Sequence, residues 1–295
     1  MIVKKITSNT HVIDLEVKKK IAILSDLHWD NPKCDRTLLK SHLDYCLKNE
    51  IPVFVNGDFF CLMQGKGDKR GNKSDIRPEH NNAKYLDSVV ETAVEWFSPY
   101  ADILTIVGYG NHETSIIKYQ ETDILQRFVD LMNHVNKSEI YTGGYGGWVN
   151  ICCDYSENRN SKYSTRMKYF HGSGGGGIVT KGAINITRAM EMYEGMDIFT
   201  MGHIHENWCR NDVRDTFEYN PGRNAYLQKL KEIHSMITGT YKEEYADGSK
   251  GWHIERGAPP KPVGGRILEI QLKRKVIDNH DLVFKQIDST RFPLI

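Results

Sequence analysis

Short apolar runs alternate along this chain with stretches in which apolar residues recur every three or four positions, the pattern of strands separated by helices. Ile21-Ala22-Ile23-Leu24 and Ile51-Pro52-Val53-Phe54-Val55 are apolar on both faces and predict buried strands. Between them Leu38, Leu39, Leu43, Cys46 and Leu47 keep helical spacing behind Asp35, predicting a helix over 35–48. Leu86, Val89, Val90, Ala93, Val94 and Phe97 predict a second helix over 83–97, stopped by Pro99. The run Ile103-Leu104-Thr105-Ile106-Val107 is a third strand, and a further helix is expected over 121–135. Strand, helix, strand order implies right-handed parallel crossovers. Residues 2–17, broken at Ser8-Asn9-Thr10, suit a short hairpin.

From Gly143-Gly144-Tyr145-Gly146-Gly147-Trp148 onward the texture changes to shorter β-like runs over 148–152 and 167–170. A helix near 183–194 leads into Asp197-Ile198-Phe199-Thr200-Met201. The expected class is α/β, with a parallel first half and a largely antiparallel second sheet packed on it. No linker or solenoid repeat divides the chain, so one domain over 1–295 is expected. The rigid Ala258-Pro259-Pro260-Lys261-Pro262 precedes a strand over 266–272, and the whole of 206–295 is expected to complete the second sheet and line one rim of a cleft.

Five predicted strands end in residues that carry chemistry. They are Ser25-Asp26-Leu27-His28, Gly57-Asp58, Gly110-Asn111-His112-Glu113, His171-Gly172 and Gly202-His203-Ile204-His205. Each alone reads as well as a turn or a helix cap, Glu113 included. Together they lie where open α/β sheets bind ligands, beyond the carboxyl ends of the strands. Asp26 and His28, two apart, share one side of an extended backbone, and so do His203 and His205. The other histidines, His11, His42, His80, His134, His234, His253 and His280, are read as ordinary.

Charge and composition narrow the classes. Lys and Arg number 39 against 38 Asp and Glu, which gives no global attraction to nucleic acid or acidic membranes. No stretch approaches the roughly 18 apolar residues of a membrane span, and the amino terminus has no apolar core of a signal peptide, so a cytoplasmic protein without membrane contact is expected. The six cysteines form no C-x-x-C pair, which favours reduced thiols and argues against a cysteine-built zinc site. Residues 61–82 carry Gly65, Lys66, Gly67, Lys69, Arg70, Gly71, Lys73 and Arg77 and read as a solvated loop or a cationic flap over a polyanionic substrate. Ser173-Gly174-Gly175-Gly176-Gly177 is not a Walker A sequence; it reads as flexible closure or as backbone that approaches substrate.

Asp26, His28, Asp58, Asn111, His171, His203 and His205 are too many ligands for one tetrahedral zinc and include no thiolate. Carboxylate, amide and imidazole donors suit two divalent ions, manganese first, with iron, zinc or magnesium as alternatives. Asp58, from the central strand, is the candidate bridge. Such a pair activates a water between the ions and clamps an in-line displacement at phosphorus, which points to phosphoester hydrolysis. His112 is the candidate general acid, with Glu113 either orienting it or capping a helix.

In this order the motifs resemble those of the calcineurin-like metallophosphoesterases, over residues 21–205. The resemblance implies a sandwich of two mixed sheets flanked by helices. It implies one metal on Asp26, His28, Asp58 and His205, another on Asp58, Asn111, His171 and His203, and a catalytic His112. Gly57-Asp58 continues into Phe59-Phe60-Cys61 rather than the Val-Asp-Arg-Gly pattern of protein phosphatases, which argues against that branch. The expected substrate is a phosphomonoester or phosphodiester, small molecule or nucleic acid; a nuclease and a non-catalytic scaffold are the alternatives.

Overall fold

Two mixed sheets lie face to face in the computed structural model, which describes residues 2–16, 19–62, 75–154, 162–220, 222–245, 252–255, 257–277 and 280–293. The strands in chain order are β1 (Ile2–Thr7), β2 (Thr10–Asp14), β3 (Lys20–Leu24), β4 (Val53–Val55), β5 (Leu104–Val107), β6 (Tyr141–Thr142), β7 (Gly146–Asp154), β8 (Lys162–Phe170), β9 (Ile198–Met201), β10 (Trp208–Asn220), β11 (Ala225–Ile237), β12 (Arg266–Ile277) and β13 (His280–Arg291). The helices are α1 (Arg36–Lys48), α2 (Tyr85–Phe97), α3 (Asn111–Gln120), α4 (Ile124–Asn136), α5 (Ala183–Met192) and α6 (Trp252–Glu255). One sheet runs β13-β12-β3-β4-β5-β6 and the other β1-β2-β7-β8-β9-β11-β10.

Hydrophobic pattern accounts for the layers. Ile21, Ile23, Phe54 and Ile106 of the first sheet meet Val149, Ile151, Met167, Tyr169 and Ile198 of the second in a shared interior. The alternate residues Ala22, Leu24, Val53, Val55 and Val107 face the other way, under the apolar stripes of α1, α2 and α4. The second sheet is covered by α5 through Ile186, Ala189 and Met190. Each such aliphatic side chain stabilises the fold by roughly 1.5–3 kcal/mol when fully buried. Asp35 caps α1 by accepting from the Leu38 N–H at 2.9 Å, and Asp123 caps α4 through the Gln126 N–H at 2.9 Å. No described helix is long and apolar enough to cross a membrane.

The α/β class expected from the sequence is the one observed. Two features of the topology differ from expectation. The seven-stranded sheet is not largely antiparallel: β2 with β7, β8 with β9, and β9 with β11 pair in parallel. The stretch 206–295 does not go to one sheet either. β10 and β11 extend the second sheet, but β12 pairs antiparallel with β3 and carries β13 with it onto the first. Alternation marks which face of a strand is buried and is silent on its neighbour, so sheet membership was not readable from it. Sequence patterning also gave no separate α3.

The consequence for function lies at one edge. β3, β4 and β5 run parallel and end together, and β8 and β9 do the same in the facing sheet. Asn56, after β4, donates its side-chain N–H to the Phe170 carbonyl at 3.1 Å and ties the two edges. Phe59 and Phe60, immediately after Asp58, are fully buried against Phe97 and Phe128, anchoring that loop in the helical layer.

Candidate metal centre

The ligand-bearing turns are tight rather than extended. Asp26 (φ 52°), His28 (46°), Asp58 (49°), His203 (69°) and His205 (56°) all take left-handed backbone. This corrects the expectation that Asp26 with His28, and His203 with His205, share a side through extended chain. Left-handed backbone costs an L-residue roughly 1–2 kcal/mol, and such strain persists only where surrounding structure fixes it. Fixing groups are present: the Asp26 N–H donates to the Gly57 carbonyl at 3.0 Å and the His28 N–H to the Asp58 carbonyl at 3.1 Å. Two glycines make the close approach possible. A Cβ on Gly57, at φ 82°, would stand 2.4 Å from His171 Nδ1, and one on Gly110 would stand 2.0 Å from Asp58 Oδ1.

These turns bring the sequence-derived ligands into two triads. The ligand atoms of Asp26, His28 and His205 lie within 4.8 Å of one another, and so do those of Asp58, His171 and His203. His205 Nε2 is 3.3 Å from Asp26 Oδ1. His171 Nε2 is 3.2 Å from Asp58 Oδ2 and 3.3 Å from Asn111 Oδ1, which places Asn111 beside the second triad. Each triad therefore holds one carboxylate from the six-stranded sheet and at least one imidazole from the seven-stranded sheet. His112 stacks edge to face on His28 with 4.7 Å between ring centroids, its backbone N–H donates to Asp58 Oδ1 at 3.0 Å, and its Nδ1 meets the Cys61 carbonyl at 2.5 Å.

Outer contacts orient the carboxylates and one of the rings. His171 Nδ1 bonds the Asn56 carbonyl at 2.8 Å, which turns Nε2 toward Asp58 and Asn111. Ser25 Oγ donates to Asp26 Oδ2 at 2.5 Å, and the His203 N–H donates to both Asp26 oxygens, at 2.9 and 3.1 Å. Thr238 Oγ1 lies 2.6 Å from Ser25 Oγ, and Thr240 Oγ1 donates to the Asp26 carbonyl at 2.9 Å. Neither ring nitrogen of His28 has a hydrogen-bond partner among the described residues, although the residue is 2% exposed. A buried polar group left in that state costs about 1–3 kcal/mol. An imidazole turned toward a carboxylate and another imidazole, with no other partner, is a fit for a divalent ion.

Electrostatics follow from burial and these neighbours. Burial, then the facing His112, hold the His28 imidazole well below its ordinary pKa of 6.5, in the neutral form that a metal requires. Burial opposes charge on Asp58, but His171 and His112 outweigh it and hold the carboxyl well below its usual range. Burial likewise opposes charge on His171, and Asp58 reverses the balance, raising it to about 10 without a metal. Glu113 is pushed up to about 8 by burial and by the charge of Asp58.

Glu113 does not orient His112. Its carboxylate accepts from the backbone N–H of Gly110 at 2.8 Å, Phe60 at 2.9 Å and Asp58 at 3.2 Å. It thus caps α3 and clamps the turns after β4 and β5 together. Ser25, Asn56, Thr238, Thr240 and Cys61 also touch the site and were not singled out by sequence. Ser25 and Asn56 adjoin ligand motifs, which is the one signal they offered; the threonines come from a distant strand end and had none.

Of the basic segment over 61–82, residues 63–74 lie outside the described residues. Arg77, which was grouped with it, bonds the Asn31 and Cys34 carbonyls at 3.0 Å each and so braces the loop after β3. In the Gly174–Gly177 run, Gly174 and Gly175 have nothing within 4 Å of an added Cβ. A cleft of about 780 Å³ is lined by Val179, Lys181, Glu206, Trp208, Arg210 and Pro260; none of its lining residues belongs to either triad, and Glu206 adjoins His205 in the chain.

Comparison with known protein families gives no matching family model, and no curated protein matches. Among solved structures, the chain is similar to a conserved uncharacterized protein from Streptococcus pneumoniae TIGR4, titled a predicted phosphoesterase. The similarity covers 91% of this chain and 98% of that one, at 14% identity and a TM-score of 0.28. The functional reading stands on the residues of this chain.

Proposed function

We propose that this protein is a dinuclear metal-dependent phosphoesterase of the calcineurin-like type. The observation that carries the reading is the pair of adjacent carboxylate–imidazole triads, one of which contains a buried imidazole with no hydrogen-bond partner among the described residues. Asp26, His28 and His205 would hold one ion, and His171, His203 and Asn111 the other, with Asp58 between them. Manganese is the first choice for such a donor set, with iron, zinc or magnesium as alternatives. Two ions held there supply positive charge to the phosphoryl oxygens and lower the pKa of water.

The protein's own groups account for the remaining requirements. His112 engages the Cys61 carbonyl through Nδ1, which fixes its ring and directs Nε2 away from that contact. As an imidazolium it carries a proton on Nε2 for the departing oxygen. Glu113 holds the backbones of Asp58 and Gly110 at their separation and so positions both Asp58 and the start of α3. Burial of Asp26 and Asp58 keeps water from competing for their oxygens.

The test is metal content and turnover together. Wild-type protein loaded with manganese should bind two ions per chain and hydrolyse an aryl phosphate, and Asp58→Asn should lose both properties. Activity that persists in metal-stripped protein would sink the reading.

The cleft whose lining includes Glu206, next to His205 in the chain, suits a substrate with an organic part beyond phosphorus. It offers the Trp208 ring and proline rings for a flat group and the cations Lys181 and Arg210 for charge, the combination that serves a nucleotide or a single strand. A nuclease would bind oligonucleotide with a steep salt dependence, which a small-molecule phosphatase lacks.

A further inference from the structure

The reading above leaves one buried nucleophile without a role. Cys61 stands three residues after Asp58, and its Sγ lies within 4.8 Å of ligand nitrogens of both His28 and His112, which lie within the same distance of each other. The residue is 1% exposed, and it is held from several sides. Its N–H donates to Asp30 Oδ1 at 2.5 Å, its carbonyl meets His112 Nδ1 at 2.5 Å, and Asn31 Nδ2 approaches Sγ at 3.2 Å. The thiol is thus fixed beside the His28 ring whose nitrogens have no hydrogen-bond partner among the described residues. The absence of C-x-x-C argued against a cysteine-built zinc site; folding has assembled a cysteine and two histidines without that motif.

We propose that Cys61, His28 and His112 form an alternative metal subsite that competes with the first triad for His28, thiolate-containing and selective for soft ions of the zinc and cadmium class, whose occupation inhibits the enzyme. The donor set differs in kind from the two triads, because one sulfur and two imidazoles favour soft ions where carboxylate-rich sites accept manganese or magnesium. Zinc bonds of about 2.3 Å to sulfur and 2.0–2.1 Å to nitrogen place tetrahedral donors roughly 3.3–3.6 Å apart, so from separations within 4.8 Å the triad needs a contraction of about 1.5 Å at most. On binding, the Cys61 S–H gives its proton to solvent as the sulfur–metal bond forms. His28 binds through a ring lone pair and His112 through Nε2, its Nδ1 keeping the proton it donates to the Cys61 carbonyl, as the ion sheds water. The ion itself is neither oxidised nor reduced.

Inhibition follows from shared residues and rests on the phosphoesterase reading. His28 belongs both to this triad and to the one with Asp26 and His205, and His112 is the proton donor. An ion on Cys61 withdraws both.

Cobalt(II), which reports thiolate ligation by a near-ultraviolet charge-transfer band, tests the subsite directly. Metal-stripped protein titrated with cobalt should develop this band as the Cys61 triad takes His28 from the first triad, with uptake staying at two equivalents. Cys61→Ser should lose the band while keeping two equivalents, and His112→Gln should weaken the band-forming step by tenfold or more. A wild type without the band, or a band that survives in Cys61→Ser, overturns the proposal. Should Cys61→Ser fold poorly, cadmium-113 resonance on the wild type decides the same point through the shift of a thiolate-bound ion. Zinc added to manganese-loaded enzyme should inhibit, and each variant is compared with its own uninhibited rate: the inhibitory concentration should rise at least tenfold in Cys61→Ser. Failure of the dinuclear reading looks different, because Asp58→Asn and His171→Ala would then release no metal while the band persists.

Discussion

The two triads have the same composition and differ in how they are supported. In the second, His171 is fully buried, bonded through Nδ1 to Asn56 and faced at 5.4 Å by the Tyr145 ring, while Glu113 clamps the Asp58 backbone. In the first, Asp26 is held as firmly, by Ser25, the His203 N–H and Thr240, yet the His28 ring nitrogens have no hydrogen-bond partner among the described residues and the His205 side chain is 17% exposed. On the proposed reading, the second triad would be built before any ion arrives and the first would be completed by what it binds. Since each triad draws on both sheets, an ion in either one would also bind the two halves of the sandwich together.

The largest expected effect comes from Asp58, the carboxylate of the second triad and the proposed bridge. Asp58→Asn should lower turnover on the order of 100-fold or more, as loss of a group that organises charge at the reacting centre does. Retention of both metals in that variant would break the symmetry of the comparison, showing that Asp58 serves neither site as a ligand.

Stability of the metal-free protein separates the triads next. His171→Ala breaks a buried ion pair and leaves Asp58 uncompensated, so it should cost about 3–5 kcal/mol in a denaturant melt under chelator. His28→Leu removes an imidazole that has no hydrogen-bond partner and should be neutral or stabilising by about 1 kcal/mol, while abolishing binding at the first site. Equal losses in the two variants would mean that both sites are prebuilt.

Glu113→Gln should act on one triad more than the other. The amide keeps one acceptor oxygen for three N–H donors, and the affinity of the second site should fall roughly 10–100-fold, the range seen when a ligand's supporting bonds are removed. Calorimetric titration with manganese should find the first site less affected. A uniform loss at both sites would make Glu113 a clamp on the whole edge.

What the sequence revealed of this site follows a physical division. Asp26, His28, Asp58, Asn111, His171, His203 and His205 were legible because each follows a buried apolar run, and a polar residue placed there has the sheet edge as its destination. The left-handed backbone of Asp26, His28, Asp58, His203 and His205 was not legible, since spacing of two suggests extended chain and a turn of Asp26-Leu27-His28 carries no glycine to betray it. Thr238 reaches Ser25 and Thr240 reaches Asp26 from more than 200 residues away, contacts created by the pairing of β9 with β11. Glu113 was ambiguous between two local roles because the N–H groups of Asp58 and Phe60 that decide the matter belong to another strand.

The smallest effect is also the most diagnostic, because the two triads should give metal-free stability opposite slopes with pH. His171 has a folded pKa raised from 6.5 to about 10 despite burial, through its ion pair with Asp58. Its contribution is fully present below 6.5 and is lost as pH rises toward 10. His28 has a folded pKa held below 6.5 by burial and by His112, so its neutral form is the native one. The unfolded chain takes up that proton as pH falls below 6.5, and stability declines on the acid side. Melting temperatures under chelator, taken from about pH 5 to pH 10, should therefore form a dome. His171→Ala should flatten its alkaline limb and His28→Leu should reduce its acid limb. An alkaline limb that persists in His171→Ala would place the responsible proton elsewhere and leave the second triad without the ion pair on which its preorganisation rests.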